Sequence, residues 1–160
     1  MKTMKNLIRN MLLPFARWYW RIFRPKTFGV KVLILNQADH EEVLLVRHAY
    51  GNRKKWNLPG GGYRPRRETP LQAATREVRE ELGVDLLKGE VIGEYRTSLE
   101  GKRDTVSFVL GTVAGKENIF PRDEITEAVW KKRKETYAEE NISAVIKEAL
   151  KCFDSFEKQK

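Results

Sequence analysis

Apolar and polar residues alternate along this chain with two different periods. Over residues 28–36, Val30, Val32 and Ile34 alternate with Lys31, Leu33 and Leu35, a period of two that predicts a strand. A polar turn over 38–42 leads into a second strand over 42–48, centred on Val43-Leu44-Leu45-Val46-Arg47. A basic loop at 51–55 precedes a short strand at 56–58. After Thr69 the period lengthens. Leu71, Ala74, Val78 and Leu82 recur every three or four residues and predict the apolar stripe of a helix. Thr69 suits its N-cap, Pro70 its first position, Gln72 a capping box and Gly83 the left-handed residue beyond its end. Apolar, β-branched runs at 91–99 and 105–113 flank a turn at 100–104 and predict a hairpin. A closing strand is expected at 128–131. A last helix is expected at 138–156, with Ile142, Val145, Ile146, Ala149, Leu150, Phe153 and Phe156 on its buried face. A sheet covered by helices on both faces satisfies this order, so the class is α/β.

At 160 residues the chain is one domain with room for a real core, and it has no internal repeat or low-complexity segment. Its single cysteine, Cys152, excludes an intramolecular disulfide. It reads as an inert, partly buried thiol in a reducing, cytoplasmic compartment.

The net charge of +9 suggests a nucleic-acid partner until its distribution is considered. Residues 1–26 hold Lys2, Lys5, Arg9, Arg17, Arg21, Arg24 and Lys26 with no acidic residue, which is +7, whereas the remaining 134 residues carry only +2. The chain therefore divides into a basic amphipathic arm, 1–26, and a nearly neutral domain, 27–160. Nucleic acid is not the expected partner, because no stacking-platform motif accompanies the charge.

Within the arm, Ile8, Met11, Leu12, Phe15, Trp18, Tyr19 and Ile22 fit one helical face, and Arg9, Arg17 and Arg21 fall largely on another. Two readings follow for residues 1–24: peripheral contact with an anionic membrane, or packing on the domain or in a dimer interface. Charges interrupt every apolar run too early for a membrane span, and Arg9 breaks any signal-peptide core. Pro14 is expected to kink or divide the arm helix.

The candidate chemistry lies between Gly62 and Val84. Gly62, Glu68, Arg76, Glu77, Val78, Glu80, Glu81, Gly83 and Val84 follow the spacing G-x5-E-x7-R-E-U-x-E-E-x-G-U, where U is apolar. Glu77, Glu80 and Glu81 stand at i, i+3 and i+4 and so share one helical face, distinct from the apolar stripe. Like charges this close repel, and a hard divalent cation with oxygen ligands is the natural partner. Arg76 precedes Glu80 by one turn and is placed to orient it. A charged helix taken alone would equally suit a solvated face with i,i+4 pairs. The preceding Trp56-Asn57-Leu58-Pro59-Gly60-Gly61-Gly62 adds a loop whose backbone can approach a ligand closely.

This combination resembles the Nudix box and its W-x-L-P-G-G-G approach, and the resemblance extends over residues 28–156. It implies a Nudix-like α/β/α sandwich with a mixed sheet, to which the arm adds an N-terminal amphipathic helix. It implies a hydrolase that uses Mg²⁺ or Mn²⁺ to cleave the diphosphate linkage of a nucleoside diphosphate joined to a further group X. Water attacks phosphorus in such chemistry, and the metal neutralises phosphate oxygens. By resemblance, Glu77, Glu80, Glu81 and the Gly62 carbonyl are the metal ligands. Glu81 and Glu77 are the most dependable of these, Glu80 is ligand or base, and Arg76 is an orienting residue. Glu68 suits either a water-mediated metal contact or the dipole at the helix N-terminus.

A further carboxylate from outside the box is expected, either Glu117 or Glu124, and Glu124 is favoured. Members of the family are often dimers, so a homodimer is an open expectation. The sequence departs from the common pattern at Arg64 and Arg67, where relatives often carry an acidic residue and glycine. Arg64, Arg66 and Arg67, with Arg53, Lys54 and Lys55, suit additional substrate phosphates. The alternative is a non-catalytic nucleotide-sensing or scaffold module on the same fold, which would not require every box carboxylate.

Overall fold

The computed structural model describes residues 25–38, 40–98, 103–115, 119–122 and 124–159, together with Leu12, Pro14, Phe15, Trp18, Tyr19 and Ile22 of the arm. The other arm positions, most of the expected hairpin turn, Glu117 and Asp123 lie outside the described residues. The strands are β1 (Lys26–Leu35), β2 (Glu42–His48), β3 (Leu86–Thr97), β4 (Arg103–Val113) and β5 (Ile125–Lys132). The helices of the domain are α1 (Pro70–Leu82), α2 (Arg133–Ala138) and α3 (Ala144–Glu157). The strands form one mixed sheet in the order β3-β4-β1-β2-β5, with β1 parallel to β4 and the other pairs antiparallel.

Alternation along β1 and β2 explains the layers. Val30, Val32, Ile34, Leu44 and Val46 turn to one face and pack with Ala73, Ala74, Val78 and Leu82 of α1. Leu33, Leu35, Val43 and Leu45 turn to the other and pack with Ile146, Ala149, Leu150 and Phe153 of α3. Central strands with apolar residues on both faces require a helix on each side, which is the expected sandwich. α1 begins as expected: Thr69 Oγ1 accepts from the Gln72 backbone N–H at 3.2 Å, and Gln72 Oε1 accepts from the Thr69 N–H at 2.8 Å. Gly83 closes it with φ 71°.

Three expectations need correction. Leu71 does not join the buried stripe of α1; it stays partly exposed over Gly89, and Ala73 is buried instead. Residues 56–58 are not a strand but two isolated bridges, Asn57 to Val46 and Trp56 to Ile142. The last helix begins six residues later than expected, because Ile142 is taken by that bridge and Ser143 becomes the N-cap. A short helix, α2, fills the preceding stretch. In the arm, Pro14 has helical backbone, as do the other five described positions, and the expected kink or division there involves neighbours that lie outside the described residues.

The feature that positions the site is a split in the sheet. β1 and β2 pair at Leu35–Val43 and then diverge. The 57–63 segment fills the gap by bonding to both strands. Asn57 exchanges both backbone hydrogen bonds with Val46 of β2 at 2.8 and 2.9 Å. On the other side, Val32 N–H donates to Pro59 O, Val30 N–H to Gly61 O, and Tyr63 N–H to Phe28 O. Gly60 has φ 127°, and a Cβ there would lie 2.2 Å from Val30 O. No other residue fits that close an approach in that conformation.

Candidate active site

The box carboxylates occupy two settings. In the outer one, Arg76 is the hub. Its Nε and Nη2 donate to the two oxygens of Glu68 at 3.1 and 2.9 Å, a bidentate pair. Nη1 donates to Glu77 Oε1 at 2.7 Å and to Glu80 Oε2 at 3.3 Å, and Nη2 also reaches the Gly62 carbonyl at 3.4 Å. Glu68 contributes most to holding the guanidinium well above its already high ordinary pKa. Burial raises Glu77 above the ordinary carboxylate range, while Arg76 opposes the rise.

In the inner setting, Glu81 is buried at the end of the glycine loop. Its Oε2 accepts the Gly60 backbone N–H at 2.9 Å, and His48 Nδ1 lies 4.0 Å from its Oε1. Burial pushes its pKa up to about 7, and Lys31 and the Gly60 N–H counteract that push. Lys31 enters from β1. Its ammonium donates to the Leu58 and Gly60 carbonyls, each at 2.9 Å. Burial lowers its pKa, and the nearby Glu81 and Glu77 charges raise it.

Glu124 reaches this inner setting through the end of α1. The Phe120 and Arg122 N–H groups cap the Leu82 and Glu81 carbonyls, and the Ala49 N–H holds the Glu124 carbonyl. The Glu124 carboxylate acts electrostatically on both Lys31 and Glu81.

The donor set suits a hard divalent cation. Glu77, Glu80, Glu81 and the Gly62 carbonyl offer oxygen alone. Gly61 leaves space beside Glu77, since a Cβ there would sit 2.6 Å from Glu77 Oε1. Among the described residues, no three acidic, histidine or cysteine side chains already converge as a metal centre. The common neighbour of Glu68, Glu77 and Glu80 is instead the Arg76 guanidinium. Nor do the three glutamates of α1 share one environment: Glu80 faces solvent, and Glu77 and Glu81 turn inward.

Beside these groups lies an open cavity of about 1250 Å³. Arg64, Arg66 and Arg67 line it, as do Lys26, Phe28 and Tyr63. The Tyr63 ring meets Phe28 edge-on at 6.1 Å. Lys31, His48 and the aromatic wall were not among the expected site residues. Lys31 had a signal, a lone cation inside the apolar run Gly-Val-Lys-Val-Leu-Ile-Leu. His48 and Phe28 had none, because a residue at either end of a strand gives no sign of what it faces.

The NUDIX domain family model matches residues 25–151. The mouse (Mus musculus) protein diphosphoinositol polyphosphate phosphohydrolase 3-alpha is 38% identical over 93 residues, covering 56% of this chain and 55% of that protein. The chain thus spans about half the length of the curated relatives it matches. The MutT protein of Methanosarcina mazei Go1 superposes with a TM-score of 0.71 at 27% identity, covering 85% of this chain and 98% of that one. An Ap4A hydrolase of C. elegans, solved as a binary complex, has a TM-score of 0.68 at 19% identity over 84% and 99% of the two chains, which speaks for the fold alone.

Proposed function

This chain belongs to the Nudix family, and on that premise we propose that it is a metal-dependent hydrolase of diphosphate linkages, acting on a nucleoside diphosphate joined to a group X. The observation that carries the reading is the cluster in which Arg76 joins Glu68, Glu77, Glu80 and the Gly62 carbonyl, with Glu68 and Gly62 themselves lining one basic, aromatic-walled cavity. Mg²⁺ or Mn²⁺, held by Glu77, Glu80, Glu81 and the Gly62 carbonyl, would neutralise phosphate oxygens and lower the pKa of water. Arg76 orients Glu77 and Glu80 through charge-assisted hydrogen bonds. Arg64, Arg66 and Arg67 hold the outer phosphates, and Phe28 and Tyr63 offer faces for a base. Water forms the new P–O bond as the bridging P–O bond breaks. Its proton passes to a carboxylate, Glu124 or Glu80, and two phosphorylated products leave. Retention of every box carboxylate speaks against a purely sensing or scaffold module.

The basic cavity wall also favours a second substrate class. Three arginines in four residues exceed what one diphosphate needs, and a diphosphate on a polyphosphorylated ring would use them all. The names of the diphosphoinositol polyphosphate phosphohydrolases point the same way. A turnover panel with Mg²⁺ and Mn²⁺ separates the two, comparing nucleoside triphosphates, ADP-ribose, sugar nucleotides and dinucleoside polyphosphates with diphosphorylated inositol polyphosphates. Glu81→Gln is expected to lower kcat by about 10³-fold on the preferred substrate while the protein stays folded. Wild-type turnover by that variant would refute the site.

A further inference from the structure

The arm presents a face that the hydrolase reading does not use. Leu12, Phe15, Trp18, Tyr19 and Ile22 all have helical backbone. Their spacing of three and four residues puts them on one side. Each is between 49% and 73% exposed. Water is a poor partner for five large, exposed apolar side chains.

Charge identifies what covers it. Residues 1–26 carry seven basic side chains and no acidic one. A second copy of this chain, or its own domain, is a poor electrostatic partner. The domain has a small basic excess, and Arg64, Arg66 and Arg67 concentrate part of its positive charge on the cavity wall. An anionic lipid surface offers both components at once: acyl chains for the apolar side chains and acidic headgroups for the lysines and arginines. Trp18 and Tyr19 are residue types that favour that boundary. Arg9, Arg17 and Arg21 interrupt every apolar run of residues 1–24 well short of a membrane span, so the contact is peripheral.

We infer that the arm docks this protein on an anionic bilayer, with Leu12, Phe15, Trp18, Tyr19 and Ile22 at the acyl boundary. One consequence is local. Ile22 lies four residues before Lys26, which lines the cavity, and four residues span about 14 Å at most. Docking therefore holds the cavity wall close to the lipid headgroups.

Co-sedimentation of the full chain with vesicles tests this directly. Partition into vesicles of phosphatidylcholine with phosphatidylglycerol is expected to exceed that into phosphatidylcholine alone by about tenfold or more, and to fall as salt screens the headgroups. Phe15→Glu with Trp18→Glu should lower that partition by about tenfold without changing the thermal unfolding of the domain. Arg17→Gln with Arg21→Gln keeps the apolar face and should reduce the preference for anionic vesicles. Equal partition into both vesicle types would overturn the inference, as would wild-type binding by the Phe15/Trp18 variant. So would a dimer in light scattering that this variant dissociates in the absence of vesicle binding, since the face would then be covered by a second copy.

Discussion

Glu80 and Glu81 are neighbours on α1, yet the Glu80 side chain is 59% exposed and the Glu81 side chain 7%. The first belongs to the outer cluster, where one guanidinium bridges several carboxylates at once. The second belongs to the inner pocket, where a backbone N–H and a lysine only partly offset the loss of water. The outer cluster sets three carboxylates against one guanidinium, and water reaches its exposed side. The inner pocket holds an under-compensated carboxylate, which is the kind of group that gains most from a bound cation. Folding therefore supports the inner pocket from elsewhere, chiefly through the glycine loop wedged between β1 and β2.

The comparison breaks most completely at that wedge. Gly60→Ala drives a Cβ into Val30 O at 2.2 Å and forces a positive φ on alanine. We expect a loss of about 4 kcal/mol in denaturant unfolding, together with loss of turnover. An unfolding midpoint equal to that of wild type would show that the loop is not what holds the inner pocket.

The outer cluster is tested by Arg76→Ala, which leaves Glu68, Glu77 and Glu80 without their shared cation. Turnover should fall about 100-fold, and Arg76→Lys should not restore it, because an ammonium cannot bind Glu68 in bidentate fashion. The expected loss of stability is small, since the cluster is partly solvated.

The finest distinction is in pH. Burial lifts Glu81 from 4.5 in the unfolded chain to about 7 in the folded one. Its contribution to stability is therefore greatest below the unfolded value and is lost as pH rises through about 7. In chelator, wild type should lose about 2 kcal/mol relative to Glu81→Gln between about pH 5 and pH 8. Parallel stability profiles for the two proteins would mean that the inner carboxylate is not under-compensated.

Much of this architecture was legible before folding. β2 falls on the expected residues, and the capping box of α1 forms as Thr69 and Gln72 require. The start of the last helix was not legible. Ile142 has the apolar spacing of a helical face, and periodicity cannot tell that from a single residue bridged to Trp56. The arginines of the cavity wall could be listed from the loop, but nothing in the loop tied them to Phe28 and Lys26 on β1.

The sequence by itself determined the capped helix, its carboxylates and the alternation of the central strands. These depend on hydrogen bonds and side-chain periods within a few residues of one another. The opening between β1 and β2 was decided by tertiary structure alone. So were the descent of Lys31 onto the Leu58 and Gly60 carbonyls and the separation of Glu81 from Glu80. Each depends on a backbone group more than twenty residues away, whose position is fixed only once both faces of the sheet are packed.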